Sequence, residues 1–255
     1  MFGTNILHVY RWHNDRFERL LYEKVVLHDE EQASLFLQCY HLRKMRSEFV
    51  PQTSTKALYL NCGIRRITMI KILSICRGIE NLSLSSEDDD DFHDLTSLFH
   101  ALETLPLTAL CLNFRIALTN SSMVNVNIFA RLTHLEVGDA DMLQHVDMKA
   151  FPMLTHLALW PLFYDPGVNV LGLVKRLLRH ATLQVLLFRV ERHRDCARFL
   201  ERHALYDPRI VIAASEIYVW DDFGRGAMLH WELAEERAKL PGPNHSQSFQ
   251  ATAMR

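Results

Sequence analysis

The apolar residues of this chain fall into a short spelling, apolar-x-x-apolar-x-apolar, that returns along most of its length. Clear copies are Ile79-x-x-Leu82-x-Leu84, Leu107-x-x-Leu110-x-Leu112, Leu132-x-x-Leu135-x-Val137, Leu154-x-x-Leu157-x-Leu159 and Leu183-x-x-Leu186-x-Phe188. A looser copy, Thr55-x-x-Leu58-x-Leu60, precedes them. Tyr22-x-x-Val25-x-Leu27 and the strand-like Arg209-Ile210-Val211-Ile212 flank the set. The central apolar residues, at 25, 58, 82, 110, 135, 157, 186 and 210, are 33, 24, 28, 25, 22, 29 and 24 positions apart, mostly within the period of a leucine-rich repeat.

The intervals carry helical periodicity. After a strand over 57–60, Ile67, Ile70, Leu73 and Cys76 recur every third position, and Gly78 is placed to stop the helix in a left-handed conformation. Asp91 can cap a helix that buries Leu95, Leu98, Phe99 and Leu102 and ends at Pro106. Pro166 opens one carrying Val170, Leu173, Val174 and Leu177. Residues 192–205 set Cys196, Phe199, Leu200 and His203 on one side, and a strand over 23–27 precedes a helix over 32–42.

Stacked strand–helix units make a parallel sheet, because parallel neighbours must be joined by a crossover that covers one face of it. The expected fold is therefore α/β, an irregular leucine-rich-repeat solenoid over 22–240 with short strands on a concave face and helices outside. The Asn of regular repeats is missing, its place being taken by Gly63, Glu87 and Arg115. Strand alternation then sends a second column of side chains into the concavity. Tyr59, His134, Glu136, His156, Trp160 and Arg189 are its candidates for binding a partner protein, aromatics and Arg being the types that most often dominate binding energy. A C-terminal cap is expected over 210–240 with Trp220 and Trp231, and a patternless tail over 241–255 after Pro241-Gly242-Pro243.

Composition narrows the function classes. With 255 residues, 49% of them hydrophobic, and a net charge of -2, the chain can bury a core and exerts no global pull on nucleic acid or anionic membrane. No apolar run approaches the roughly 18 residues of a membrane span, and Met1 to Trp12 lacks the pattern of a signal peptide. The cysteines, Cys39, Cys62, Cys76, Cys111 and Cys196, are odd in number and never spaced C-x-x-C, which points to reduced thiols in cytosol or nucleus. Between Lys175 and Arg209 nine basic residues face four acids, an excess that an ordinary solvated helix face accommodates without nucleic acid.

Local chemistry is sparse. The run Glu87-Asp88-Asp89-Asp90-Asp91 with Asp94 lacks the alternation and turn glycine of a calcium loop and reads as a solvated acidic loop. His134 and His156 occupy equivalent places in adjacent units with Glu136 nearby, so a metal-dependent hydrolase using these three is the alternative to a binding surface. Cys196 and His203 share a helix face and read as packing. No nucleophile elbow, phosphate loop or dinucleotide-binding turn occurs, so neither a catalytic set nor a cofactor is assigned.

The two ends add a family resemblance. Arg16-Phe17-Glu18-Arg19-Leu20-Leu21-Tyr22-Glu23-Lys24-Val25-Val26-Leu27 resembles the junction between an F-box and irregular leucine-rich repeats in large protein families of mushroom-forming fungi. Asp207-Pro208-Arg209-Ile210-Val211-Ile212, followed by Trp220, Gly226 and Trp231-Glu232-Leu233-Ala234, resembles the closing strand and tryptophan-bearing helix of the same proteins. The resemblance spans roughly Ile6 to Leu240. It implies substrate recognition for a cullin-type ubiquitin ligase, with an adaptor gripping the F-box. Residues 1–21, with Ile6, Leu7, Val9 and Trp12, would then be a partial F-box or an N-terminal cap helix. A truncated F-box paralogue is the remaining reading.

Overall fold

The computed structural model describes residues 22–45, 54–85, 96–113, 127–138, 140–144, 146–160, 169–214 and 229–239. The segment 1–21, the acidic run with Asp91, Pro166, Trp220 and the tail over 241–255 lie outside them. In chain order the elements are β1 (Lys24–Asp29), α1 (Glu30–Met45), β2 (Ala57–Gly63), α2 (Arg66–Ile75), β3 (Asn81–Ser85), α3 (Thr96–Glu103), β4 (Ala109–Asn113), β5 (His134–Val137), β6 (His156–Leu159), α4 (Val170–Leu177), β7 (Val185–Val190), α5 (His193–Arg202), β8 (Ile210–Ala214) and α6 (Leu229–Ala238). Single 3-10 turns at Phe129–Arg131, Ala140–Leu143 and Met148–Ala150 stand among the shorter intervals around β5. The eight strands form one parallel sheet in chain order, with β1 and β8 at its edges. The chain divides into two compact units, 1–82 with 86–106, and 83–85 with 107–255. No helix among the described residues is long and apolar enough to cross a membrane.

In the first unit β1 and β2 pair with Val25 beside Leu58 and Leu27 beside Leu60, so the apolar spelling sets the register. Helix α1 opens on a reciprocal cap: Asp29 Oδ1 accepts from the Gln32 amide at 2.8 Å, and Gln32 Oε1 accepts from the His28 amide at 3.0 Å. Glu30 accepts from the Arg65 amide, the Arg65 guanidinium and the Thr68 hydroxyl, which ties the start of α1 to the start of α2. Helix α2 buries Thr68, Met69, Ile72 and Leu73, with Cys76 just beyond its end, whereas Ile67 is 56% exposed. The expected stripe at every third residue is thus corrected. At 3.6 residues per turn, the nine positions from 67 to 76 amount to about two and a half turns. Ile67 and Cys76 therefore face opposite sides. The helix stops at Cys76, whose amide donates to the Ile72 carbonyl.

In the second unit the register again runs from apolar residue to apolar residue: Leu110, Leu135, Leu157, Leu186 and Ile210 stand side by side across β4 to β8. Helix α4 begins at Asn169, whose Oδ1 accepts from the Gly172 amide at 2.8 Å. That is the ordinary N-cap contact. Val170, Leu173, Val174 and Leu177 are buried as the spacing predicts. Helix α5 ends in a Schellman arrangement, with the Leu205 amide donating to the Leu200 carbonyl at 2.9 Å and the Ala204 amide to Glu201 at 3.1 Å. Ala204 sits there at φ 51, in the left-handed region. Ala204→Gly should stabilise the protein by about 0.5–1 kcal/mol, after allowing for the freer unfolded glycine. Urea titration with an unchanged slope would show it, and no gain would mean that the turn carries no strain.

The place of the missing asparagine ladder is taken by threonines just ahead of the strands. Thr133 Oγ1 donates to the Thr108 carbonyl, Thr155 Oγ1 to the Thr133 carbonyl (each 3.1 Å), and Thr182 Oγ1 to the Leu154 carbonyl at 2.7 Å. Backbone amides repeat the connection, those of Thr133 and His134 donating to the Thr108 carbonyl and those of Thr155 and His156 to the Thr133 carbonyl.

Candidate functional site

Because side chains alternate along a strand, the leucine columns of β4 to β8 take one face of the sheet and His134, Glu136, His156, Ala158, Val185, Leu187, Arg189, Val211 and Ala213 take the other. This second face is covered. Trp231 and Ala234 of α6 close over Ala158, Val185, Leu187, Val211 and Ala213 as one apolar cluster, with Ala238 at its margin. The expected open binding surface is therefore corrected for this unit: Glu136, His156 and Arg189 are buried, His134 and Trp160 half-buried. Tyr59, in the first unit, is also buried, and its hydroxyl donates to Asn61 Oδ1 at 3.2 Å. Trp231, expected within a C-terminal cap, packs on this face of the sheet.

Next to the apolar cluster lies a polar network. Arg189 Nη1 donates to Glu136 Oε1 at 2.7 Å, and the Trp160 indole N–H donates to the same oxygen at 3.0 Å. The Arg189 guanidinium also lies over the Trp160 ring, 4.9 Å from its centroid. His230 of α6 brings Nε2 to 3.5 Å from Glu136 Oε2. Burial alone would raise the Glu136 carboxyl; Arg189, His230 and the Trp160 bond outweigh it and hold the group below the usual carboxylate range. Glu136 is accordingly an anion fixed by its donors. Its Oε1 is committed to structure by two donors, Arg189 and Trp160.

The histidines pack as aromatic rings. His134 and His156 are cross-strand partners whose rings stack at 4.2 Å and 13°, and Trp231 meets them edge-on at 5.4 and 5.6 Å. Thr133 Oγ1 lies 2.9 Å from His134 Nδ1 and Thr155 Oγ1 lies 2.8 Å from His156 Nδ1, so the threonine ladder orients both rings. Since the Thr133 hydroxyl already donates to a carbonyl, it accepts from an Nδ1–H of His134. His156 Nε2 reaches Glu235 Oε1 of α6 at 3.0 Å, a contact at ion-pair distance without hydrogen-bond geometry. Burial, then the neighbouring His156 and His230, push His134 down to about 3. Burial is also the main cause that pushes His230 down to about 4 and, against the pull of Glu235, holds His156 below its ordinary value.

These positions bear on the hydrolase alternative. Two nearly parallel imidazoles direct their lone pairs side by side, where a tetrahedral ion needs them convergent. Among the described residues no three His, Cys, Asp or Glu side chains form a ligand group. Cys111 and Cys196 are buried thiols pushed above their ordinary range by burial, and burial raises Cys76 to about 12. A thiol reagent should therefore modify Cys39 and Cys62 quickly and the other three cysteines only after denaturation. Rapid native labelling of Cys111 or Cys196 would contradict their placement. In the basic stretch, Arg176 donates to the carbonyls of Leu143 and Gln144, and Arg209 to those of Leu178 and Leu183 and to Asp207. Part of its positive charge is thus turned inward.

Sequence reasoning missed Thr133, Thr155, His230 and Glu235. The tetrapeptide Leu-Thr-His-Leu occurs twice, at 132–135 and 154–157, and was the available signal for the threonines. The residues of α6 gave none, because nothing local tells a helix which strands it will cover. Comparison of the chain with family models, with curated proteins and with solved structures finds no match. The fold and site thus define a class only, an α/β protein with one open parallel sheet.

Proposed function

We propose that the protein is a non-enzymatic interaction module, an irregular leucine-rich-repeat solenoid that presents bound proteins to a cullin-type ubiquitin ligase. The observation that carries the first part is the pairing of β1 to β8 in chain order, one strand per copy of the apolar spelling, which is how stacked units assemble. The polar residues of the site support it from the other side, since Glu136, His134 and His156 are engaged in packing rather than aimed at a reacting atom. The ligase part rests on the order of parts in the sequence, an F-box-like segment ahead of the repeats and a tryptophan-bearing helix after them. A place in cytosol or nucleus goes with it.

Co-purification from cells that contain the ligase adaptor tests this reading. The full chain should retain the adaptor in equimolar amount, and a chain lacking residues 1–21 should lose it. An adaptor absent from the full-chain preparation would remove the ligase reading and leave a binding module of another kind.

A further inference from the structure

Helix α1 buries Ala33, Phe36 and Tyr40 and leaves an apolar column on its outer side. Leu35 and Leu42 are each 52% exposed, Met45 at the end of the helix is 78% exposed, and Cys39 is exposed between the two leucines. Positions 35, 39 and 42 are spaced by four and three, so they share one side of the helix. One exposed leucine carries no message, but a column at this spacing is the narrow seam along which two helices pack.

The column is symmetrical about a point between Gln38 and Cys39. Turned end for end, it presents Leu42 where Leu35 stood, so a second copy of α1 packed antiparallel meets leucine with leucine on both sides of a two-fold axis. Charge selects the same direction. The first turn of α1 carries Glu30 and Glu31 and the last turn Arg43 and Lys44. Antiparallel packing sets the acidic end of each helix against the basic end of the other, as the helix dipoles also favour, whereas parallel packing would set like ends together.

We infer that two copies of this chain associate through α1, antiparallel, with Leu35 of each copy against Leu42 of the other and both Cys39 side chains beside the axis. With helix axes about 8–10 Å apart, the two Cys39 side chains fall on the same side of the contact, within reach of a disulfide. A single helix pair covers less than the roughly 1,200 Å² at which stable interfaces begin, so the association is weak and grows with protein concentration. Dilute chain keeps Cys39 open to thiol reagents. This surface goes beyond the interaction-module reading and does not rest on it.

The test uses the full chain at rising concentration. Sedimentation should show an increasing share of dimer, and copper–phenanthroline, which passes two electrons from a pair of thiols to oxygen, should join two copies through Cys39. The Cys39→Ala chain should give no such product and still sediment as a dimer. Leu35→Lys and Leu42→Glu should each weaken self-association at least about tenfold. Circular dichroism should be unchanged in both, because both side chains stand outside the core. Mixed together, the two variant chains should associate again, since the introduced ammonium of one then faces the introduced carboxylate of the other. A wild-type chain that stays monomeric at every concentration, a cross-link that survives Cys39→Ala, or a mixture that associates no better than its components would overturn the inference. The ligase adaptor takes no part in these readouts, so failure here and failure of the adaptor experiment are separable.

Discussion

Arg189→Met should lower the stability of the protein by about 3–5 kcal/mol, the usual consequence of removing one partner of a buried ion pair. Arg189 and Glu136 are both almost fully buried, and their contact is 2.7 Å. Methionine keeps much of the volume of the arginine stem and removes both the charge and the stacking on Trp160. Glu136 would then keep only the Trp160 indole and His230 as partners in a place where burial favours its neutral form. The penalty comes chiefly from that stranded carboxylate. Arg189→Met combined with Glu136→Gln should therefore be more stable than Arg189→Met alone, because an amide costs less to bury than an unpaired charge. Urea unfolding of the two variants and the parent chain measures both effects. A loss below about 1 kcal/mol for Arg189→Met would place the pair at the surface, where ion pairs contribute little.

Acid should destabilise the protein early. His134 and His230 have folded-state values of about 3 and about 4, below the ordinary imidazole value near 6.5 expected once the chain unfolds. Between these limits the unfolded chain binds more protons, so stability rises with pH through this range. The contribution is complete above about pH 6.5 and is lost as the pH falls toward 4 and then 3. At pH 5 each of the two histidines should account for roughly 2 kcal/mol of lost stability. Glu136, also held below its ordinary value, loses its contribution in the same direction at still lower pH. The groups facing the histidines are Glu136 of β5, Arg189 of β7 and Glu235 of α6. Thermal melts between pH 7.5 and 4.5 should show a steep fall in Tm that is reduced in His134→Gln. A flat profile would contradict neutral, buried imidazoles.

Much of the strand order was legible in the sequence, for a physical reason. The central leucines enter the core between sheet and helices, and a shift of one position would expose the whole set. Register and spelling therefore carry the same information, and Leu135, Leu157 and Leu186 stand as neighbours because each is the same letter of its copy. The pairing of His134 with His156 follows from it. Helix faces were less legible. Ile67 is apolar and exposed, and a three-residue spacing in so short a segment imitates a helical stripe while rotating away from it.

Burial of the second face was not legible in β5, where His134 and Glu136 look like solvent-facing positions. Yet Val185-Leu186-Leu187-Phe188 and Ile210-Val211-Ile212-Ala213 are continuous apolar runs, the pattern of strands covered on both sides. Read in that way, β7 and β8 demand a second cover. What the runs do not say is that α6 supplies it, or that Arg189 reaches back across β6 to Glu136. Such a pairing depends on long-range packing and leaves no periodicity behind.

The seat of α6 on the sheet is tested most directly by NMR of the full chain at neutral pH. Nuclear Overhauser contacts are expected between the indole protons of Trp231 and the imidazole carbon-bound protons of both His134 and His156, whose rings lie 5.4 and 5.6 Å from the indole. A Trp231 indole with contacts to neither histidine would contradict it.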